Sequence, residues 1–296
     1  MRCAGRGSQL HRVTFVAALL APTETSDRSI QAVATFDHTD FPHEMLLAAK
    51  RERGISVHVL IPARDEEATI GDIVRTIRVQ LMDDVSLVDS LVVVDDASLD
   101  ATAARAAESG ARIVDGPGLG KGEAMATATA GLPARSIAVF LDGDVVGFHA
   151  GFVTGLVGPL LADPGIDLVK GAYRRPLGPS PSGGGRVTEL VAKPALSLCF
   201  PELAGMDQPL AGETAIRASL LAELQLAPGY AVEVAMLIDA YELRGPAVLA
   251  QVDLGERRHR NRSLEELVPE ARAVLGTILE RAERLRERTL PVEAEA

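Results

Sequence analysis

Tryptophan is absent from this chain and aromatic residues amount to only 3%, so Ala, Val, Leu and Ile must build the core. Cysteine is nearly absent too. Cys3 and Cys199 are the only two, which excludes a disulfide framework or a cysteine-rich zinc site and fits a reducing cytoplasm. No stretch approaches the roughly 18 consecutive apolar residues of a membrane span. Arg2, Arg6 and Arg12 followed by Val13 to Ala21 mimic a signal peptide, but the apolar run is short and no small-x-small cleavage site follows. Residues 1–53 are therefore expected to be a partly disordered leader, apart from a short helix at His43 to Arg53, with Met45 as a more natural start. Positive charge is in deficit, with 30 Lys and Arg against 41 Asp and Glu and a net charge of −11. That balance argues against nonspecific nucleic-acid binding.

What is present is a long, 47% hydrophobic chain of 296 residues, enough for one large domain with an elaborated second half. From Ile55 the pattern becomes regular. Ile55 to Ile61 reads as a β-branched strand stopped by Pro62, and Glu67 to Leu81 carries Ile70, Ile73, Val74 and Ile77 at helical spacing. Leu91 to Val94 is a continuous apolar run, as in a strand buried on both faces. An Ala-rich helix (101–108), a strand (112–114), a glycine loop with a helix (122–131) and the strand Ile137–Leu141 follow. This alternation predicts an α/β fold with a mostly parallel sheet, Rossmann-like in its first half, over residues 54–170. Residues 171–296 are the less regular second half. Leu168-Val169-Lys170 reads as a strand leading into it, Pro176–Gly185 reads as a mobile loop, and a helix begins near Thr188 but is limited by Pro194. Ser263 and Glu266 form a capping box, Pro269 should kink or restart the helix that follows, and the charged tail 280–296 should fray.

In parallel sheets ligands bind beyond the carboxyl ends of the strands, and three polar strand ends converge there: Pro62-Ala63-Arg64, Asp95-Asp96 and Asp142-Gly143-Asp144. Residues two apart on a strand share a face, so Asp142 and Asp144 leave together. Two close carboxylates repel unless a cation sits between them, and Mg²⁺ favours one or two carboxylates plus phosphate oxygens. Glu66 sits in a stretch that suits a solvated helix start, or a contact to base or ribose. Asp96 suits a helix cap or a nucleoside contact, and Lys121 on its glycine loop lacks the spacing of a Walker motif. Gly185, Arg186, Val187 and Thr188 read as either a linker or an anion receptor. Glu233 lies in an apolar stretch and needs a partner. His259 offers a neutral imidazole as a further metal ligand. Local basic patches occur at Tyr173-Arg174-Arg175, Arg186 and Arg257-Arg258-His259-Arg260-Asn261-Arg262.

In order, the motifs Leu60-Ile61-Pro62-Ala63-Arg64-Asp65-Glu66-Glu67, Val94 to Asp100, Gly120-Lys121-Gly122-Glu123 and Phe140 to Asp144 lead into Tyr173-Arg174-Arg175-Pro176. Gly183 to Ala192, Ala227 to Tyr230 and His259-Arg260-Asn261-Arg262 complete the series. Over Ile55 to about Leu279 the series resembles the actinobacterial glucosyl-3-phosphoglycerate synthases, retaining glycosyltransferases of GT-A fold. The resemblance implies transfer of glucose from UDP-glucose to the 2-hydroxyl of 3-phosphoglycerate with Mg²⁺ or Mn²⁺, by a homodimer. It implies donor contacts from Pro62, Ala63, Arg64, Glu66, Asp96, Lys121, Asp142, Gly143, Tyr230 and Arg258, and metal ligands Asp144 and His259. Acceptor contacts fall on Gly185, Arg186, Val187, Thr188 and Asn261. Leu210 to Glu213 would line the reaction centre, with Leu210 and Glu233 positioning the reacting groups. A GDP-mannose donor with the same acceptor is the alternative; a catalytically degenerate sugar-nucleotide-binding protein is another.

Overall fold

In the computed structural model, residues 33–177, 180–183, 185–257 and 263–289 are described. Strands and helices alternate through the first half: β1 (Ala34–Asp37), α1 (His43–Arg53), β2 (Ser56–Ala63), α2 (Ile70–Ile77), β3 (Ser90–Asp95), α3 (Thr102–Glu108), β4 (Arg112–Asp115), α4 (Lys121–Ala128) and β5 (Ser136–Phe140). The second half adds α5 (Gly151–Ala162), β6 (Leu168–Arg174), the small hairpin β7 (Pro176–Leu177) and β8 (Ser180–Gly183), and α6 (Lys193–Cys199). It closes with β9 (Thr214–Arg217), α7 (Ala218–Leu221), α8 (Val232–Arg244), β10 (Leu249–Glu256) and α9 (Leu264–Thr289). Eight strands form one sheet in the order β1-β10-β6-β9-β5-β2-β3-β4. Only β9 runs antiparallel to its neighbours, β5 and β6; the other pairings are parallel.

Alternation along each strand divides the core in two. Val57, Val59 and Ile61 of β2 face one side with Ile137 and Val139 of β5, where α2 and α5 pack. Leu60, Val92, Val94, Ala138 and Phe140 face the other, under α4, α8 and α9. Because both faces are covered, the central strands read as continuous apolar runs rather than alternating ones.

Five sequence expectations change. Residues 34–53 are not leader-like: β1 pairs with β10 at the sheet edge, and α1 follows. Pro62 does not stop β2, which continues to Ala63. Leu60 O accepts Leu141 N toward β5 (3.2 Å), whereas Ala63 O accepts Asp96 N toward β3 (2.9 Å). The missing N–H of Pro62 therefore points to the β5 side, where the ladder has already ended at Leu60↔Phe140. Pro194 does not limit the helix expected near Thr188: a π-helical turn (Thr188–Ala192) runs directly into α6 with Pro194 in its first turn, so the proline falls where the ladder shifts register. Finally α9 runs unbroken through Pro269 to Thr289. The expected box at its start is made, Ser263 N donating to Glu266 Oε2 (2.6 Å) and Glu266 N to Ser263 Oγ (3.3 Å). As far as Thr289 the charged tail is docked, not frayed, because Arg281 forks onto both oxygens of Asp239 in α8, each at 2.7 Å; residues 290–296 lie outside the described residues. Among the described residues, no helix is long and apolar enough to cross a membrane.

Candidate active site

The ends of β2, β3 and β5 open into a cavity of about 460 Å³. Except for Ala211, Gly212 and Glu213, the expected site residues within the described segments line it: Pro62, Ala63, Arg64, Glu66, Asp96, Lys121, Asp142, Gly143 and Asp144 on one side, and Gly185, Arg186, Val187, Thr188, Leu210, Tyr230 and Glu233 on the other. Arg258, His259 and Asn261 lie outside the described residues.

Two strained loops shape the first side. Asp65 and Ala97 both adopt left-handed backbone (φ 58° and 62°), a conformation that costs an L-residue about 1–2 kcal/mol. Reciprocal bonds hold them there. Asp65 Oδ1 accepts Leu99 N (2.7 Å) while Asp65 N donates to Ser98 Oγ (3.0 Å). Glu67 N donates to Asp100 Oδ2 (3.1 Å) while Glu67 Oε2 accepts Ala101 N (3.0 Å). Asp96 shapes the glycine loop, its two oxygens accepting Gly118 N (2.7 Å) and Gly120 N (2.9 Å). At Gly122 any Cβ would lie 2.0 Å from Ala227 O, so only glycine lets the segment before Tyr230 approach the start of α4.

A chain of buried charges runs across the floor. Lys121 Nζ bonds Asp142 Oδ1 and pairs with Glu233 Oε1 (2.5 Å), which supplies the partner that a buried glutamate needs. Arg257 Nη2 donates to Asp142 Oδ2 and Asp144 Oδ1, both at 2.7 Å, and its Nε lies 3.3 Å from Glu213 Oε1. Burial works against each charge, but for Lys121 the carboxylates of Asp142 and Glu233 prevail and raise its pKa above the ordinary 10.5. For Asp142, burial is likewise outweighed by Lys121 and Arg257, which hold the carboxyl well below the usual carboxylate range. Glu213 differs. It is wholly buried, and burial raises its pKa against the opposing pull of Arg257.

Tyr173 organises the cations at the far side. Its hydroxyl accepts from Arg175 Nη2 (2.7 Å) and Arg257 Nη1 (3.1 Å), and both guanidinium carbons sit over its ring at 5.0 and 5.4 Å. Burial pushes the Tyr173 hydroxyl up to about 12, so it stays protonated.

The donor set suits a hard divalent cation. Asp144 is the more exposed of the two acids (side chain 36% against 18%), and both already accept one shared cationic group, the Arg257 guanidinium. Among the described residues no cluster of three His, Cys, Asp or Glu side chains is assembled.

The sequence reading missed Arg257, Arg175 and Glu270, all of which line the cavity. It treated the first two only as members of basic patches, and nothing in the local pattern marks Glu270. Within the expected 210–213 wall, Leu210 faces the cavity, whereas Ala211 and Glu213 are fully buried behind it. Thr214 enters β9 immediately afterward, which turns the segment into the sheet.

A mostly parallel sheet with an acidic strand end, a lysine-bearing glycine loop and an opposing arginine pocket defines an α/β glycosyltransferase. No protein-family model matches the chain. A curated relative, glucosyl-3-phosphoglycerate synthase of Mycobacterium tuberculosis, is 47% identical over 254 residues, covering 80% of this chain and 76% of the relative. A solved structure of the M. tuberculosis enzyme with Mn²⁺, UDP-glucose and phosphoglyceric acid superposes with a TM-score of 0.77 at 42% identity, covering 85% of this chain and 88% of that one. Another holds Mg²⁺ and UDP. Mannosyl-3-phosphoglycerate synthase of Rubrobacter xylanophilus gives a TM-score of 0.80 at 37% identity, with 89% and 85% coverage. The chain belongs to the glucosyl-3-phosphoglycerate synthase family.

Proposed function

We propose that the chain transfers glucose from UDP-glucose to the 2-hydroxyl of 3-phosphoglycerate with retention of configuration, giving glucosyl-3-phosphoglycerate. The observation that carries this reading is the single cavity joining Asp142, Asp144 and Lys121 to Arg186 and Thr188. One end suits a nucleotide diphosphate, the other a small anion.

Asp144, with His259, holds Mg²⁺ or Mn²⁺; the bound cation supplies Lewis-acid neutralisation of the departing diphosphate. Pro62, Ala63, Arg64, Glu66, Asp96 and Gly143 shape the nucleotide site, aided by Arg258. Lys121, fixed between Asp142 and Glu233, keeps a positive charge beside the diphosphate across the physiological range. Gly185, Arg186, Val187, Thr188 and Asn261 receive the acceptor, with Arg186 gripping an anionic group in bidentate fashion. Leu210, Tyr230 and Glu233 border the sugar. Glu233 is committed to Lys121, which favours attack from the leaving-group face. We also read the chain as a cytoplasmic homodimer, on its two cysteines and on Leu243, Leu264, Val268 and Leu275, which expose apolar surface along α8 and α9.

The similarity to a mannosyl-3-phosphoglycerate synthase supports GDP-mannose as a second donor reading. The test is product formation from 3-phosphoglycerate and Mg²⁺ with either donor in parallel, followed by mass spectrometry. Hexosyl-phosphoglycerate formed from UDP-glucose alone establishes the reading, product from GDP-mannose alone replaces the donor, and no product from either removes it.

A further inference from the structure

Lys170 has no part in the site so far. It lies within β6, 1% exposed, where a lysine is rarely found without a carboxylate on its ammonium. Its contacts are of another kind: Nζ donates to Ala211 O (2.5 Å) and to Thr214 Oγ1 (2.9 Å). Both acceptors belong to one turn, Gln208 to Thr214, from which Leu210 lines the cavity.

That turn is pinned from several directions. Gln208 Nε2 donates to Tyr173 O (3.2 Å), Ala211 N to Gln208 O (2.9 Å) and Gly171 N to Glu213 O (2.8 Å). Leu210 reaches the cavity from it. Gly212 passes so close to Asp142 that a Cβ would lie 2.0 Å from Oδ1. One short segment thus borders the reacting space and touches a carboxylate of the donor end.

Burying an ammonium costs several kcal/mol even when the surroundings help. Here burial lowers the pKa to about 8, against the opposing attraction of Glu233, so the group still carries its proton and its donors at neutral pH. An apolar side chain of equal length would fill the same space at less cost. A costly group kept in such a place calls for a role in what it holds.

We infer that Lys170 is a positioning residue for sugar transfer: its ammonium clamps the Gln208–Thr214 turn, fixing Leu210 and Gly212 against Asp142. The inference rests on the glycosyltransferase reading above. Lys170 touches neither substrate; it acts through the turn.

The test uses the full-length protein and Lys170→Met, which keeps length and apolar volume and removes both bonds. The expected result is a kcat lower by about 10- to 100-fold, the range for small misplacements of reacting groups, with KM for both substrates within about 3-fold of wild type on the same positioning grounds. Binding of UDP with Mn²⁺ is unchanged by calorimetry, and the melting temperature is unchanged or higher. Amide hydrogen exchange of residues 208–214 speeds up by about 10-fold or more, as expected when a local brace is lost. Thr214→Val, which removes one acceptor, moves kcat and exchange the same way by less, and adds nothing in the Lys170→Met background. A kcat within 3-fold of wild type with unchanged exchange overturns the inference. So does a kcat loss matched by equal loss of UDP affinity and melting temperature, since that marks a merely structural role. If the wild type makes no hexosyl product, the functional reading fails on its own, and the exchange data alone then decide whether Lys170 clamps the turn.

Discussion

The two ends of the cavity are built on different principles. The donor end is assembled from strand termini between Pro62 and Asp144, and its shape is carried by backbone: left-handed residues at Asp65 and Ala97, glycine amides on Asp96, loops stapled reciprocally. The acceptor end draws on β6, the 185–188 segment, the residue after β10 and the start of α9, and side-chain charge holds it together. Tyr173 braces Arg175 and Arg257, and Arg257 reaches back to Asp142 and Asp144. Parallel strands place their carboxyl ends side by side with little help from side chains. Segments remote in sequence have no such frame and rely on ion pairs. Charge substitutions should therefore divide the two ends cleanly, and backbone changes should matter only at the first.

The largest effect is expected from Asp144→Asn, a loss of kcat/KM of about 10³-fold or more as metal neutralisation of the leaving group is lost. Manganese binding measured by electron paramagnetic resonance should weaken with it; full Mn²⁺ affinity would remove Asp144 from the metal site. Arg186→Met should raise the acceptor KM by about 10- to 100-fold and leave UDP affinity alone. A matching loss of UDP affinity would show that the two ends are not separable. Lys121→Met strands the Asp142 and Glu233 carboxylates and should cost about 3 kcal/mol in urea unfolding, a figure that an apolar repacking of under 1 kcal/mol would contradict.

A subtler contrast is one of pH. The native pKa of Lys170 is lowered to about 8 against 10.5 when free. Between those values the unfolded chain binds a proton that the native one has released, so this group adds stability as pH rises across that window. Comparing the unfolding free energies of wild type and Lys170→Met from pH 7 to 10.5 should show the gain in wild type only; parallel curves would deny the shift. Asp142 has the opposite history, a native pKa far below the ordinary 3.8. Its contribution is complete above that value and fades only in strong acid. The smallest effect is Ala97→Gly, which relieves the positive φ and should add roughly 0.5–1 kcal/mol of stability, less the entropy that glycine gains when unfolded. Thermal melts would resolve it, and destabilisation would mean that the 97–101 loop needs the methyl.

Much of the donor end was legible before any coordinates. An apolar run closed by Asp142-Gly143-Asp144, and another by Asp95-Asp96, are local signals, because a buried strand must be apolar and a strand end that meets a ligand must not be. Arg257 was not legible. In a run of basic residues after Glu256 nothing distinguishes one arginine from the next, and attention went to Arg258. What singles out Arg257 is its amide bond to Arg174 O (3.0 Å) beside β6, a contact across the sheet. The antiparallel course of β9 was hidden for a similar reason, since Thr214–Arg217 is too short to announce a direction.

Lys170 marks the boundary between the two kinds of knowledge. Its segment, Leu168-Val169-Lys170, reads correctly as a strand, and a lysine there would ordinarily face water. Composition, periodicity and the order of the motifs determined the α/β alternation, the sites of the polar strand ends and the family likeness, because these depend on neighbours in the chain. Which charges are buried, which of them pair, and that Lys170 grips Ala211 and Thr214 were decided only by the tertiary structure. Desolvation and Coulomb energy depend on distance in space, and the sequence states only distance along the chain.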